Sequence, residues 1–581
     1  MLKLKQSMFT SDKKKIIFLL VTLFALNVIL YINTINHDFL KDDFRLIVEN
    51  PRIKSFPSFI NSIGSKFFAF PDFPYLHYWR PMTLFSFFID YSMWSLNPAG
   101  YHLFNILINA FNALLIFLVF YMLFNKTHYA FLASLFFSIH PSHVEAVSWI
   151  SGRTDLLASF FILAAILFFI LFLKKKKGFF YAITALFFML ALLSKENAIL
   201  FPLLALGLIF ITPAAETGKR LKNALLTLPF WVMNLAYIIL HNRFSGVQGV
   251  LENFSFKDIF VIFKTIGAYT KIILMPFFPT HHFSMHHFDR GHLEFLVYFA
   301  VALLILVFMI LNRETYRYSL YTLLFFIFLL PVLDPELVPS YPKIVIRFAY
   351  IPAVFAGVFF IDTFNFFKNK RLKILYVVLL AFVAVIWIFE SYSFQAYFKD
   401  QHSHYDGLIR YYPDDGSLLL PLALIKAQQG DYHRSLTLVN HALEVNPNDR
   451  WLDVSEMGGL LKANLLVITG EAGKGKALAE KIMAETRKDG MKYSGFLVLA
   501  KFHEKNGEYP TALRMLKEAE TIGETSDLFF RMAFIYGKMQ NVPAALHCLE
   551  KAKNLNPELK KYRQFKDFLL NAQQKKAKTD R

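Results

Sequence analysis

The stretch KKKIIFLLVTLFALNVILYI (residues 13–32) sets the class of this chain, because three lysines abut an apolar run of membrane-spanning length. Such a run imitates a secretory signal, but no small-residue cleavage site follows it, so the reading is a retained first span. Ten further apolar blocks follow, at about 101–124, 129–150, 154–173, 179–194, 197–213, 221–240, 293–311, 318–334, 348–364 and 374–392. With 55% hydrophobic residues and 67 Phe among 581, the chain is too apolar for a water-soluble globule. The bilayer is the expected solvent for most of it.

A net charge of +19 raises the question of nucleic acid, but the excess lies in short clusters between apolar blocks and accompanies no recognisable reading module. The clusters mark a membrane side instead. If the segment 256–275 does not cross, every second connection holds the basic residues: five before the first span, then Lys126, Lys174 to Lys177, Lys219, Arg220, Lys222, Arg313, Arg317, Lys368, Lys370, Arg371 and Lys373. The positive-inside rule is then obeyed at every step. Lys257, Lys264 and Lys271, seven residues apart, share one helical face and suit a helix lying in the interface. About eleven spans with the N-terminus inside put the C-terminus outside, together with a first external loop at about 35–100 and segments near 241–256, 276–292 and 335–347. The single cysteine, Cys548, leaves no intramolecular disulfide and no cysteine-rich metal site.

After Tyr397 the pattern changes to amphipathic helices. Segments at 430–449, 473–485, 507–520 and 540–558 superpose on Ser435, Ala477, Ala512 and Ala545 in steps of 42, 35 and 33 residues, around the tetratricopeptide period. The expected fold class is all-α: a polytopic membrane domain over 1–395, a tetratricopeptide α-solenoid over 411–570 and a basic tail over 571–581.

Ionisable residues at the edge of a membrane domain are costly unless they face a cavity or one another, so their gathering on one face is informative. Directly after the first span, HDFLKDDFRLIVENP (37–51) holds the adjacent Asp42 and Asp43. Paired carboxylates repel, which raises the pKa of one and suits it to take a proton from a hydroxyl; the same pair can hold a cation or cap a short helix from Phe44 to Glu49. Arg80, in YWRPMTLFSFFIDY (78–91), is either a bidentate phosphate ligand or an interfacial anchor. The densest cluster is HPSHVEAVSWISGRTD (140–155), with His140, His143, Glu145, Arg153 and Asp155, where Pro141 should bend the third span and open a polar pocket. The spacing of His140 and His143 admits a divalent metal, hydrogen bonding to substrate, or bonding across helices. Lys195 and Glu196 close the fifth span and can pair with each other. Arg347 and Tyr350, in KIVIRFAYIP (343–352), sit where a phosphate clamp is expected. His281, His282, His286 and His287 lie in an external loop, as metal ligands or as a solvated stretch.

Taken in order, these motifs resemble the transmembrane and tetratricopeptide-repeat (TMTC) O-mannosyltransferases and their bacterial relatives: Asp-Asp after the first span, Arg-Pro before the second, His-Pro-x-His-x-Glu then Gly-Arg-x-Asp, Lys-Glu after the fifth, a late Arg-x-x-Tyr-x-Pro, and C-terminal repeats. The resemblance spans nearly the whole chain. It implies a GT-C glycosyltransferase, inverting, that uses a polyprenyl-phosphate sugar, mannose by kinship, to glycosylate a hydroxyl of a protein. Asp42 or Asp43 would then be the base; Arg80, Arg153 and Arg347 would neutralise the departing lipid phosphate; His140, His143, Glu145, Asp155, Lys195 and Glu196 would shape the pocket, with Tyr350 beside Arg347. The chain departs from the family in its short repeat array and in a late motif without the usual Glu before Arg.

Two other classes compete. A non-catalytic scaffold would anchor repeats that recruit envelope proteins, but an anchor has no need of clustered ionisable residues. A transporter would show a repeated hydropathy pattern. The scarcity of cysteine favours a bacterial inner membrane with the active face and repeats outside; in a eukaryote the same face would be the lumen of the endoplasmic reticulum.

Overall fold

The computed structural model describes residues 2–67, 78–211, 223–245, 256–276, 292–316, 318–319, 345–445, 454–555 and 562–579, and among them every regular element is helical. The chain divides into two compact units. One holds the described residues up to Asp43, Ile63–Phe67 and Tyr78–His404; the other holds Phe44–Ser62 and the described residues from Tyr405 onward.

In chain order the helices up to the end of the first unit are α1 (Leu2–Tyr31), α2 (Phe56–Ser62, which belongs to the second unit), α3 (Pro81–Trp94), α4 (Pro98–Phe124), α5 (Thr127–Ile139), α6 (Val144–Ser148), α7 (Arg153–Lys175), α8 (Gly178–Leu192), α9 (Phe201–Ile211), α10 (Leu228–Ser245), α11 (Phe256–Leu274), α12 (His292–Leu311), α13 (Val354–Phe366) and α14 (Lys370–Gln395). Local signals set several ends. Asn97 accepts from the Ala99 N–H, Pro98 opens α4, and Asn125 at φ 52° closes it. α1, α4, α5, α7 and α8 pack around one apolar core that includes Ile106, Phe117, Phe137, Ile162 and Phe188. By contrast α14 presents Leu375, Val378, Phe382, Val385 and Phe389 outward, and α12 presents Leu293, Leu304 and Leu311. Apolar surface on that scale belongs in lipid.

Among the described residues, six segments are long and apolar enough to cross a bilayer: Lys13–Asn36, Pro98–Phe124, Ile150–Lys175, Leu225–Ser245, Leu293–Leu311 and Lys370–Phe398. Shorter apolar helices occupy Thr127–Ile139, Gly178–Leu192, Glu196–Phe210 and Val354–Phe366. The chain is an integral membrane protein. Of the eleven expected spans, the one at 318–334 lies outside the described residues apart from Tyr318 and Ser319.

Two expectations change in detail. The block at 129–150 is not one helix: α5 stops at Ile139, and a 3-10 turn at Pro141–His143 and the short α6 replace its second half, as Pro141 requires. The region 35–100, long and polar enough to form structure, contains the fourteen-residue α3, which packs on α4 and α7. The segment 256–275 forms α11 and is not among the six candidate spans. It packs along α12 so closely that a Cβ on Gly267 would lie 1.9 Å from the Phe295 carbonyl oxygen. Its Lys264 is buried and Lys271 pairs with Glu294, so that face is turned into protein.

α15 (Gln401–Ile409) holds the boundary between the units at His404 and Tyr405, and the described residues of the second unit then form four helical hairpins: α16 (Gly416–Gln428) with α17 (Tyr432–Val445), α18 (Val454–Thr469) with α19 (Ala472–Glu485), α20 (Asp489–Lys505) with α21 (Tyr509–Ile522), and α22 (Ser526–Lys538) with α23 (Val542–Leu555). A last helix, α24 (Tyr562–Thr579), packs on α23 and runs through most of the expected tail. Each hairpin crosses at a buried pair of small residues twelve apart: Ala423 and Ser435, Ala463 and Gly475, Ala500 and Ala512, Ala533 and Ala545. In the second hairpin Gly475 is the crossing residue, because a Cβ there would lie 2.5 Å from the Ala463 carbonyl oxygen, whereas Ala477 is exposed. The alignment on Ala477 is therefore corrected by two residues, and the steps become 40, 37 and 33.

Candidate active site

The break in α5 and the turn entering α7 bring distant parts of the sequence together. Asp43 is fully buried. Its Oδ2 accepts from the Leu40 N–H at 2.8 Å, and its Oδ1 accepts from the Ser151 N–H at 2.9 Å and from the Ser151 hydroxyl. Trp149 Nε1 donates to the Leu40 carbonyl at 3.0 Å, so the Leu40 carbonyl is tied directly to the turn before α7 and its N–H through Asp43. Burial pushes the Asp43 carboxyl up to about 7, against the hydrogen bonds from Ser151 and Leu40. Asp42 keeps part of its surface and interacts electrostatically with Arg347, Lys41 and Tyr78. The adjacent carboxylates thus differ: one is consumed in holding the loop, and the other acts electrostatically on Arg347 and Lys41.

Arg80, at the start of α3, binds Glu196 through two parallel hydrogen bonds, Nε to Oε1 at 2.9 Å and Nη2 to Oε2 at 2.7 Å, and lies 4.2 Å from the Tyr78 ring centroid. Lys195 pairs with Asp155 rather than with its neighbour Glu196, and its ammonium lies 4.1 Å from the Phe348 ring. Burial pushes Lys195 down to about 8, against the attraction of Asp155. Arg347 donates from Nη1 to Glu145 at 2.6 Å, and its Nε lies 3.3 Å from Asp155. Asp155 therefore bridges Lys195 and Arg347. Six expected residues, Arg80, Glu145, Asp155, Lys195, Glu196 and Arg347, are ion-paired in neighbouring groups, and Asp42 adds its charge to them through Arg347.

Four others stand apart. Arg153 is fully buried, and its guanidinium is engaged by Asp90, by Asn105 Oδ1 at 2.8 Å and by the Tyr101 carbonyl at 2.8 Å, among the rings of Phe87 and Phe104. It clamps α3 to α4 and α7 and does not present donors to a phosphate. His140 is held by the Ile273 carbonyl at 3.0 Å and by Ser142 Oγ at 2.8 Å, and His143 Nε2 by the Tyr350 carbonyl at 3.0 Å. Among the described residues no group of three His, Cys, Asp or Glu gathers as a metal site. The four histidines at 281–287 lie outside the described residues. Tyr350 points into the core, donating to Asn109 at 2.5 Å and accepting from Asn112 at 3.1 Å. Asn109 in turn reaches Asn27 of α1 at 2.8 Å, so a polar thread fixes the turn that carries Arg347.

Sequence reasoning passed over Lys41, Tyr78, Asp90, Trp149 and Ser151. Asp90 was legible as a carboxylate in an apolar run, which requires a buried cation. Nothing local marked Ser151 or Trp149.

No protein-family model matches the chain. Among curated proteins, it is 32% identical over 177 residues to Protein O-mannosyl-transferase Tmtc1 of Drosophila melanogaster, covering 30% of this chain and 21% of that protein. It is 35% identical over 124 residues to Protein O-mannosyl-transferase TMTC3 of Homo sapiens, covering 21% and 13%, and 26% identical over 257 residues to Protein O-mannosyl-transferase Tmtc2 of Drosophila melanogaster, covering 43% and 24%. The relatives are TMTC protein O-mannosyltransferases. The chain spans about a quarter or less of the length of these TMTC relatives, and the likeness agrees with the family resemblance read from the sequence.

Proposed function

We propose that this chain is a membrane glycosyltransferase of GT-C type that moves a sugar, mannose by kinship, from a polyprenyl phosphate to a hydroxyl of an acceptor protein on the external face. The observation that carries the reading is the meeting of Asp42, from the loop after α1, with Arg80, Lys195 and Arg347, from three other parts of the chain. Such a cluster matches the demands of sugar transfer, which needs one base for the acceptor and positive charge for the leaving phosphate.

In this mechanism Asp42 takes the proton as the acceptor oxygen bonds to the anomeric carbon, on the face opposite the bond to phosphate. That bond breaks with its electron pair on the phosphate oxygen, and the configuration inverts. Arg347 and Lys195, each already oriented by Glu145 or Asp155, stabilise the charge that develops on the phosphate. Arg80 is positioned by Glu196 at the entrance of α3. Asp43 acts through Asp42 by holding the loop. The tetratricopeptide-like hairpins are the proposed surface for the acceptor or an envelope partner.

The test is sugar transfer from polyprenyl-phosphate-mannose in proteoliposomes, with other lipid-linked sugars and envelope protein alongside. Removing a general base costs roughly 10²- to 10⁴-fold in rate, and Asp42→Asn is expected to fall in that range with its thermal unfolding unchanged. If wild type consumes no lipid-linked sugar, the enzyme reading is abandoned for a membrane-anchored scaffold.

A further inference from the structure

We propose that Lys41, which no catalytic motif includes, is a phosphate-binding residue of this site, acting with Arg347 beside the ring of Trp149. The inference rests on the glycosyltransferase reading and names where the donor phosphate sits.

Three observations carry it. Lys41 occupies the left-handed region at φ 51°, a conformation that residues with a Cβ seldom adopt and that recurs at functional sites. The strain is imposed on both sides, since Leu40 is pinned by Asp43 and Trp149, and Asp43 is anchored to Ser151. Second, this backbone turn carries the Lys41 ammonium to 5.4 Å from the Trp149 ring centroid, while the Arg347 guanidinium lies 4.8 Å from the same centroid. A cation over an indole gains roughly 0.5–2 kcal/mol; the two cations repel each other, and Glu145, ion-paired to Arg347, attracts both. Third, Arg80, Lys195 and Arg347 each have a carboxylate within ion-pairing distance. Among the described residues no carboxylate lies that near the Lys41 ammonium; Glu145, Asp42 and Asp43 act on it at longer range. Burial lowers its pKa, so an arriving anion would favour its charged form.

A tetrahedral phosphate fits this need, since its oxygens can bond an ammonium and a guanidinium at once. Its source is either the donor lipid or a free phosphate. Lys41 lies one residue before Asp42, so a phosphate bound there places the departing oxygen beside the base that starts the reaction.

The experiment measures binding of polyprenyl phosphate, with inorganic phosphate as the unlinked control, to the full chain in nanodiscs, for wild type, Lys41→Met, Lys41→Arg and Asp42→Asn. Lys41→Met is expected to weaken lipid-phosphate binding about 10- to 100-fold, as for loss of one charge-assisted hydrogen bond, and to flatten its salt dependence. Lys41→Arg should recover most of the affinity, which a packing role would not allow, and Asp42→Asn should bind at least as tightly as wild type while losing turnover. If Lys41→Met binds as tightly as wild type while wild type transfers sugar, the Lys41 inference is overturned and the enzyme reading stands. If Lys41→Met fails to fold, the Lys41→Arg and Asp42→Asn proteins decide: full affinity in Asp42→Asn with none in Lys41→Arg overturns the inference. If wild type binds only inorganic phosphate, the lipid donor is overturned, and with it the reading on which the inference rests.

Discussion

Asp43 has no exposed surface and spends both carboxylate oxygens on Leu40 and Ser151, while Asp42 acts electrostatically on Arg347. The difference gives Asp43 its own pH signature. Folding lifts its carboxyl from 3.8 to about 7, so its stabilising contribution is complete below pH 3.8 and is lost as the pH rises through 7. Thermal unfolding in detergent should therefore show wild type losing stability between pH 4 and 7.5, and Asp43→Asn losing less; parallel slopes would refute the assignment. Lys195 works in the opposite range, its charge disappearing as the pH passes about 8. Transfer should fall above that pH, and Lys195→Arg, which stays charged, should extend the plateau. Arg153 is predicted to matter for folding rather than for phosphate. Arg153→Leu leaves Asp90 buried without its cation, a change that costs about 3–5 kcal/mol, and should appear as lost monodisperse protein rather than as a raised KM in a folded enzyme.

At the scale of elements, α3 and the broken α5 are the devices that build the site. Pro141 ends α5 at the level where His140 can reach the Ile273 carbonyl, and the chain then folds back through α6 to present Glu145, Trp149 and Ser151. α3 carries Arg80 at its first turn and is held by Asp90 near its end. In the hairpins, the crossing at Gly475 admits no side chain, whereas Ala477 is exposed. Gly475→Leu is expected to destabilise by about 1–3 kcal/mol through overpacking, and Ala477→Leu by less than 0.5 kcal/mol, roughly the level of a surface change. Urea unfolding of the full chain followed by limited proteolysis of the repeats separates the two; equal effects would restore the alignment on Ala477.

At the scale of the molecule, the placement of positive charge between apolar blocks predicts that the repeats lie outside. Replacing buried Cys548 by Ala gives a background in which Glu518→Cys should react with an impermeant maleimide from the outer side, while Lys177→Cys should react only after the membrane is opened. The reverse pattern would place the site and repeats on the inner face.

The membrane class, the helical repeats and the position of Asp42 and Asp43 after the first span were all legible in the sequence, because hydrophobic length, small-residue periodicity and charge placement are local properties. The approximate membership of the cluster was legible too, through motifs whose polar residues make no sense in lipid alone. Which charges pair was not. Lys195 lies beside Glu196 in the chain yet binds Asp155, and Glu196 binds Arg80. Arg153 turns away to Asp90, and Lys41 is swung by a left-handed turn toward Trp149. These choices rest on distances between residues tens to hundreds of positions apart, which only the packing of α3, α7 and the Arg347 turn against one another decides.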